Sequence, residues 1–485
     1  MSGIFGVVAR TNCAEELFYG TDYHSHLGTE YGGLAVLGEE FQRHIHNISQ
    51  GQFKSKFYED RRFMTGKKGI GAVSDNNEQP IYLNSRLGAF CIVTNGLIEN
   101  SEKLARDLME KGISFSEVNK GSINVTELIA KIISLGKDIV DGIEKMFEVI
   151  EGSCSLLILN KDGIYAARDR MGYTPLVVGK KEDAWAVTTE TSAFPNNKFK
   201  VVKYLEPGEI ILLKEDGMLQ ENPGNGAKQI CTFLWVYTGF PASDYEGVNT
   251  EVVRERCGRC LAACDKDIEV DLVAGVPDSG IAHAIGYSMA SGKPLRRPLV
   301  KYTPGYGRSY TPPSQETRDL VATMKLIPIK EIIEGNRIVL CEDSIVRGTQ
   351  LKNFTVAKLW ESGAREVHVR PACPPLMFPC KFCLSTRSIH ELSARKAIRS
   401  LEGHDLEDVS EYVNEGSLKY KKMVEWIRQD INVTTLRYQK IDDMVKAIGL
   451  PRESLCLYCW TGKVGSELSA SKRGKRAAKS VSVTQ

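Results

Sequence analysis

Short apolar runs of strand length recur through the first part of the chain, to about residue 220. Ile4-Phe5-Gly6-Val7-Val8 is one, and Ala89-Phe90-Cys91-Ile92-Val93 is another, followed by the turn dipeptide Asn95-Gly96. The runs 153–159 and 163–167 flank the polar pair Lys161-Asp162, which predicts a hairpin. Glu209-Ile-Ile-Leu-Leu213 is the last run of this kind, and two stretches, about 100–111 and 125–150, carry helical spacing. Many strands with two helical stretches predict an α+β sandwich.

The pattern changes after the turn-rich segment Glu221-Asn-Pro-Gly-Asn-Gly226. An apolar strand, Asp271 to Val276, leads into a helix from Gly280 to Ser291. A second buried strand, Arg337 to Cys341, leads into an amphipathic helix from Thr349 to Gly363, and Glu366 to Arg370 is a third strand. That β-α-β order predicts a parallel, doubly wound sheet, which binds ligands at the carboxyl ends of its strands. The break divides the chain into 2–225 and 226–462, and the Ser/Lys/Ala-rich residues 463–485 read as a disordered tail. Two domains also suit a length of 485 residues, because a single core rarely grows beyond ~250–300.

Composition changes this picture little. The chain is 42% hydrophobic and 26% charged with a net charge of +2, so no long-range field favours nucleic acid. The one basic run, Lys472-Arg-Gly-Lys-Arg476, is short enough to be a solvated stretch. The N-terminus lacks the basic and apolar regions of a signal peptide, and no apolar run reaches the ~20 residues of a membrane helix. A cytoplasmic protein is expected, with its thirteen cysteines reduced.

The sharpest chemistry lies between Arg337 and Thr349. A buried strand delivers Glu342 and Asp343 to its carboxyl end, and the chain turns through Ser344-Ile-Val-Arg347-Gly348-Thr349 into a helix. Backbone N–H groups and hydroxyls at such a turn cradle a phosphate, and Gly348 lets the backbone come close. The carboxylates beside it suit ribose hydroxyls or Mg²⁺. Val276-Pro277-Asp278-Ser279-Gly280 is a second strand-to-helix loop able to hold pyrophosphate. Lys301 to Thr311, with Lys301, Tyr306 and Arg308 among glycines and proline, reads as a lid.

Cys380-Lys-Phe-Cys383 and Cys456-Leu-Tyr-Cys459 both have metal-ligand spacing, for zinc or an iron–sulfur cluster. Cys257, Cys260 and Cys264 fall on one helix face, a pattern more typical of buried structural thiols.

The run Glu342–Thr349 resembles the phosphoribosyl pyrophosphate loop of type I phosphoribosyltransferases. Together with 276–280, Arg308–Arg318, Lys325-Leu326 and Cys456–Gly462, it makes about residues 2–462 similar to the glutamine phosphoribosylpyrophosphate amidotransferase family. The resemblance implies an α+β N-terminal-nucleophile sandwich, class II glutamine amidotransferase-like, followed by an α/β type I phosphoribosyltransferase domain. It implies substrate contacts from Asp278, Ser279, Gly280, Lys301, Arg308, Lys325, Glu342, Asp343, Ser344, Arg347, Gly348 and Thr349. Mg²⁺ would be held by Ser279, Glu342 and Asp343, with glutamate standing where the family's pair begins with aspartate. A structural [4Fe–4S] cluster would be held by Cys231, Cys380, Cys456 and Cys459, leaving Cys373 and Cys383 as spare thiols or alternative ligands. Feedback by purine nucleotides and a homotetramer are further implications of the family.

The opening Ser2-Gly3-Ile4-Phe5-Gly6 resembles the class II glutaminase start, but that family has cysteine where this chain has Ser2. The freed terminal amine would serve as base and the side chain as nucleophile. Asn95-Gly96 matches the oxyanion-hole loop; Gln79-Pro80 and Arg168-Asp169 match segments that look structural. Three further features of the resemblance are missing. His26-Leu27-Gly28-Thr29 has leucine for an arginine, Gly71-Ala72-Val73-Ser74-Asp75 has no arginine to grip a glutamine carboxylate, and Val125 replaces the aspartate that holds the substrate amine. The expectation is phosphoribosyl transfer to ammonia or another amine with glutamine hydrolysis lost. A serine hydrolase acting on another amide, and a non-catalytic, nucleotide-binding regulator of an active partner, are the alternatives. Phe240-Pro241, which lacks an arginine of the family, bears on the last.

Overall fold

The computed structural model describes residues 2–116, the backbone of 118–119, and residues 121–302, 326–383 and 388–464. Tyr306, Arg308, Lys325 and nearly all of the predicted tail lie outside the described residues.

The N-terminal half is two antiparallel sheets stacked face to face, of seven and six strands. The strand Ser2–Ala9 lies inside the first sheet, paired on one side with Ala184–Thr188 and on the other with Lys68–Ser74. Its side chains alternate between two cores. Phe5, Val7 and Ala9 meet the helix Ala14–Asp22 with Phe53 and Phe57; Ile4 and Val8 pack between the sheets with Cys91, Val93, Leu157 and Leu159. Helices Ser101–Glu110, Val125–Ser134 and Ile139–Val149 cover the outer face of the second sheet. The order is helix, sheet, sheet, helix, and each fully buried large aliphatic contributes roughly 1.5–3 kcal/mol.

Three expectations change here. Asn95-Gly96 is not a turn: the strand Gly88–Ile98 runs through it, with Gly96 opposite Cys154. Gly96 has φ 151°, and a Cβ there would sit 2.0 Å from the Ser153 carbonyl oxygen, so glycine is required by close strand approach. The stretch 125–150 is two helices, broken where Gly136 packs against Gly142 and Asp138 caps the second helix by accepting from Asp141 N–H. The joint at 221–226 begins as strand, Met218–Pro223, and turns only at Gly224.

In the second half a four-stranded parallel sheet runs in the order Leu272–Gly275, Arg337–Glu342, Glu366–Pro371, Thr435–Leu436. After the helix Ile281–Ser291 the chain returns outside the first strand, where Leu295 bridges Val273, and then crosses to Arg337–Glu342 on the other side. The carboxyl ends of these two neighbours are therefore a topological switch point, where such sheets bind ligands. Residues 349–361 are helical as expected, with a wide π-type stretch at Leu351–Val356. Helices Thr250–Ala263 and Ile281–Ser291 press together through Gly258 and Gly286. Cys257 is buried, Cys260 half-buried and Cys264 exposed past the helix end, so these three are not a ligand set.

The halves meet through polar contacts. Buried Arg168 pairs with Glu246 at 2.7 Å, and Leu97 N–H donates to the Phe382 carbonyl at 3.0 Å. Among the described residues no helix is long and apolar enough to cross a membrane.

Candidate functional site

Glu342 ends the central strand at the switch point. Its Oε1 accepts from Ser279 Oγ at 2.7 Å and from the Asp343 N–H at 3.0 Å, while Asp343 Oδ1 accepts from Ser344 Oγ at 2.6 Å. Loop 276–280 reaches this point because Gly280 has no side chain: a Cβ there would lie 2.1 Å from the Cys341 carbonyl oxygen. Burial drives the Glu342 carboxyl well above the usual range, and the neighbouring Asp343 charge adds to it. Burial pushes Asp343 up to about 6, against the pull of the Ser344 hydroxyl and the Arg254 guanidinium. Arg254 is itself buried and anchored on the carbonyls of Trp235, Tyr237 and Gly239.

The structure thus brings together Ser279, Gly280, Glu342, Asp343 and Ser344. Gly348 follows in the left-handed region at φ 78°, and Thr349 opens the helix. Lys301 pairs with Asp278 at 3.0 Å on an exposed rim. Arg347, expected in the cradle, is exposed and pairs with Glu391 at 2.6 Å.

Ser2 lies in the other half, nearly buried. Its backbone N donates to Asn95 Oδ1 at 3.1 Å, and its Oγ donates to Ser74 Oγ and accepts from Gln79 Nε2, both at 3.1 Å. Gln79 also bonds Thr94 through N–H and carbonyl, so this residue, expected to be structural, also belongs to the Ser2 site. Arg168-Asp169 is structural as expected: Asp169 accepts from the N–H groups of Met171, Tyr173 and Thr174. Leu27 is buried. Asp75 accepts from Thr29 N–H and O–H at 2.9 and 3.0 Å, placing an acid in the segment where an arginine would grip a carboxylate.

A glutamine amidotransferase domain family matches residues 68–196. The amidophosphoribosyltransferase of Methanocaldococcus jannaschii is 32% identical over 97% of this chain and 99% of its own length. That of Bacillus subtilis is 30% identical over 96% of this chain and 94% of its own. The solved Bacillus subtilis glutamine phosphoribosylpyrophosphate amidotransferase complexed with ADP and GMP matches with a TM-score of 0.81 at 30% identity, covering 95% of this chain and 96% of that one. The chain belongs to the amidophosphoribosyltransferase family. Its architecture is accordingly an N-terminal-nucleophile sandwich followed by a phosphoribosyltransferase fold.

In this amidophosphoribosyltransferase-family chain the cysteines expected to act together do meet. Cys231 and Cys456 face each other on paired strands, and Cys459 lies within hydrogen-bonding range of Cys380. Cys456 senses both Cys231 and Cys380. The wall is aromatic: Phe233 stacks on Trp460 at 5.0 Å and Tyr173 on Phe382 at 4.0 Å. Among the described residues no group of three or more His, Cys, Asp or Glu side chains is placed to hold a metal ion.

Two features escaped the sequence. Glu190 is buried between the halves, 2.9 Å from His26, accepting from Tyr245 Oη at 2.5 Å and Ser243 Oγ at 3.2 Å. Burial raises its carboxyl, but His26, His24 and Tyr245 outweigh this and hold it at about 2. No local pattern announces such a long-range network. Arg254 did leave a signal: it is the one charge in the buried helical stripe Thr250, Val253, Arg254, Cys257, Gly258, Leu261. Phe240, read as marking a lost arginine, lies 5.3 Å from the His26 ring, at the junction of the halves.

Proposed function

We propose that this chain transfers the phosphoribosyl group of phosphoribosyl pyrophosphate to ammonia or a small amine and does not hydrolyse glutamine. The observation that carries the transferase reading is the half-buried Glu342 beside buried Asp343, with Ser279 at the switch point. The amine nitrogen attacks the ribose carbon that bears pyrophosphate, the carbon–oxygen bond breaks, pyrophosphate leaves and the amine loses a proton. With ammonia the product is 5-phosphoribosylamine. Loop 276–280 offers N–H groups to the pyrophosphate, and the turn 344–349 cradles the phosphate.

Ser279, Glu342 and Asp343 fit Mg²⁺, because adjacent carboxylates, one half-buried and one buried, disfavour each other's charge until a cation lies between them. Bound there, Mg²⁺ would shield the leaving pyrophosphate. Cys231, Cys380, Cys456 and Cys459 suit a structural [4Fe–4S] cluster in an aromatic, water-poor pocket. ADP and GMP in the Bacillus subtilis relative support purine nucleotides as further ligands.

Against glutamine stand the neutral partners of Ser2, the acid at Asp75 and the buried Leu27. A free amino acid needs its carboxylate and its ammonium paired on burial. Serine is also the weaker nucleophile unless a base activates it.

The test is pyrophosphate release from phosphoribosyl pyrophosphate with Mg²⁺, on anaerobically prepared protein, with ammonium or glutamine as nitrogen donor. Release with ammonium alone is expected. Release with glutamine would overturn the reading of the Ser2 site, and no release with ammonium, glutamine or a panel of small primary amines would overturn the transferase reading.

A further inference from the structure

The thiol pocket holds one cysteine more than a cluster needs. In the turn Cys380-Lys-Phe-Cys383, the N–H groups of Phe382 and Cys383 both donate to Cys380 Sγ, at 3.4 and 3.3 Å. The same turn carries Cys383 inward. Its thiol is buried, within hydrogen-bonding range of Cys231 and 3.5 Å from Thr174 Oγ1. Cys231 and Cys383 also share one wall, since Cys231 N–H donates to the Tyr173 carbonyl and Phe382 stacks on the Tyr173 ring. A [4Fe–4S] cluster takes four thiolates, and this pocket gathers Cys231, Cys380, Cys383, Cys456 and Cys459.

We propose that Cys383 is an alternate ligand that takes the cluster corner otherwise held by Cys231. The inference rests on the cluster reading above. The exchange breaks one iron–sulfur bond to Cys231 and forms one to Cys383, and the incoming thiol gives up a proton as the departing thiolate gains one. Cys383 and Cys231 lie within side-chain reach of each other in the same buried pocket.

The test is anaerobic reconstitution with iron and sulfide, read as iron and sulfide per chain and as the visible charge-transfer band. C231S and C383S should each load at about the wild-type level, C231S with a shifted band, whereas C231S/C383S should lose loading by about tenfold or more. C456S is the control for a ligand without a substitute. In loaded wild-type protein a small alkylating reagent should mark Cys231 and Cys383 in different molecules, read by peptide mass mapping, and this needs no variant to fold. A C231S protein that is empty while C383S is full, or labelling confined to Cys383, would overturn the proposal and leave the cluster standing. Wild-type protein that takes up no iron or sulfide would overturn both.

Discussion

Replacing Asp343 by asparagine should stabilise the metal-free protein while removing its activity. The Asp343 carboxyl is pushed from 3.8 to about 6. About two pH units at ~1.4 kcal/mol each make ionisation there cost of order 3 kcal/mol. The shift is upward for an acid, so the fold disfavours the charged form. The cost is full above about 6, shrinks as pH falls, and is gone below the unfolded value of 3.8. Asparagine carries no charge and keeps an oxygen for the Ser344 hydroxyl, which lies 2.6 Å from Oδ1. Allowing for relaxation and water entry, a gain of about 1–2 kcal/mol is expected, or ~3–6 °C for a domain of this size. The assay is thermal unfolding in EDTA at about pH 8 and about pH 4.5, and the gain should fall by more than half at the lower pH. Saturating Mg²⁺, at about 100 times its Kd, should add ~2.7 kcal/mol to the wild type and little to the variant. A variant less stable than wild type at both pH values would refute the charge-burial argument. An equal Mg²⁺ shift in both proteins would remove Asp343 from the metal site.

Gly280→Ala should lose pyrophosphate release and soluble yield together. Its Cβ would meet backbone atoms of Cys341 and Val276 at 2.1 and 2.7 Å, a clash at or above the ~1–3 kcal/mol usual for overpacking. Tyr245→Phe should lower the unfolding free energy measured by urea titration at neutral pH by about 1.5–3 kcal/mol, because it removes a hydrogen bond to the buried Glu190 carboxylate. The Glu190 carboxyl is held down at about 2 from 4.5, so its contribution is present above 4.5 and lost as pH falls toward 2; acid unfolding should begin at a higher pH when His26 is replaced by glutamine. Ser2→Ala should leave ammonium-supported release unchanged, and a large loss would show that Ser2 serves the transferase.

Much of the fold was legible because burial differs between the two halves. The first three parallel strands are short apolar runs alternating with helices, and that order points to ligand binding at their carboxyl ends, while the switch point between Gly275 and Cys341 needed the spatial strand order. In the sandwich the strand Ser2–Ala9 is buried along its whole length, so alternation could not say which face met which core. Asn95-Gly96 misled for a physical reason. The pair is a strong hairpin signal, yet the same lack of a Cβ also admits a neighbouring strand at close range, and sequence does not separate the two uses.

The site divides along a similar line. Glu342, Asp343 and Gly348 could be read because strand, loop and helix lie in one short stretch, and the loop of Ser279 and Gly280 follows the same order after its own strand; that the two loops meet was implied only by the family resemblance. Arg347 shows the limit: its position in the motif fixed its backbone, but the side chain follows Glu391, which belongs to another loop. The Glu190 network lies further beyond reach, since His26 and the pair Ser243 and Tyr245 converge on it from two distant segments across the junction of the halves. That junction carries weight for function. Glu190 and Arg254 sense each other's charge, and Arg254 in turn pulls on Asp343, so one chain of buried charges runs from His26, beside the Ser2 half, to the carboxylate pair. Removing the Ser2 half would strip Tyr245 of its Glu190 acceptor and weaken the field around buried Arg254, with Asp343 and Glu251 still beside it, so that half has a structural role apart from any glutamine hydrolysis.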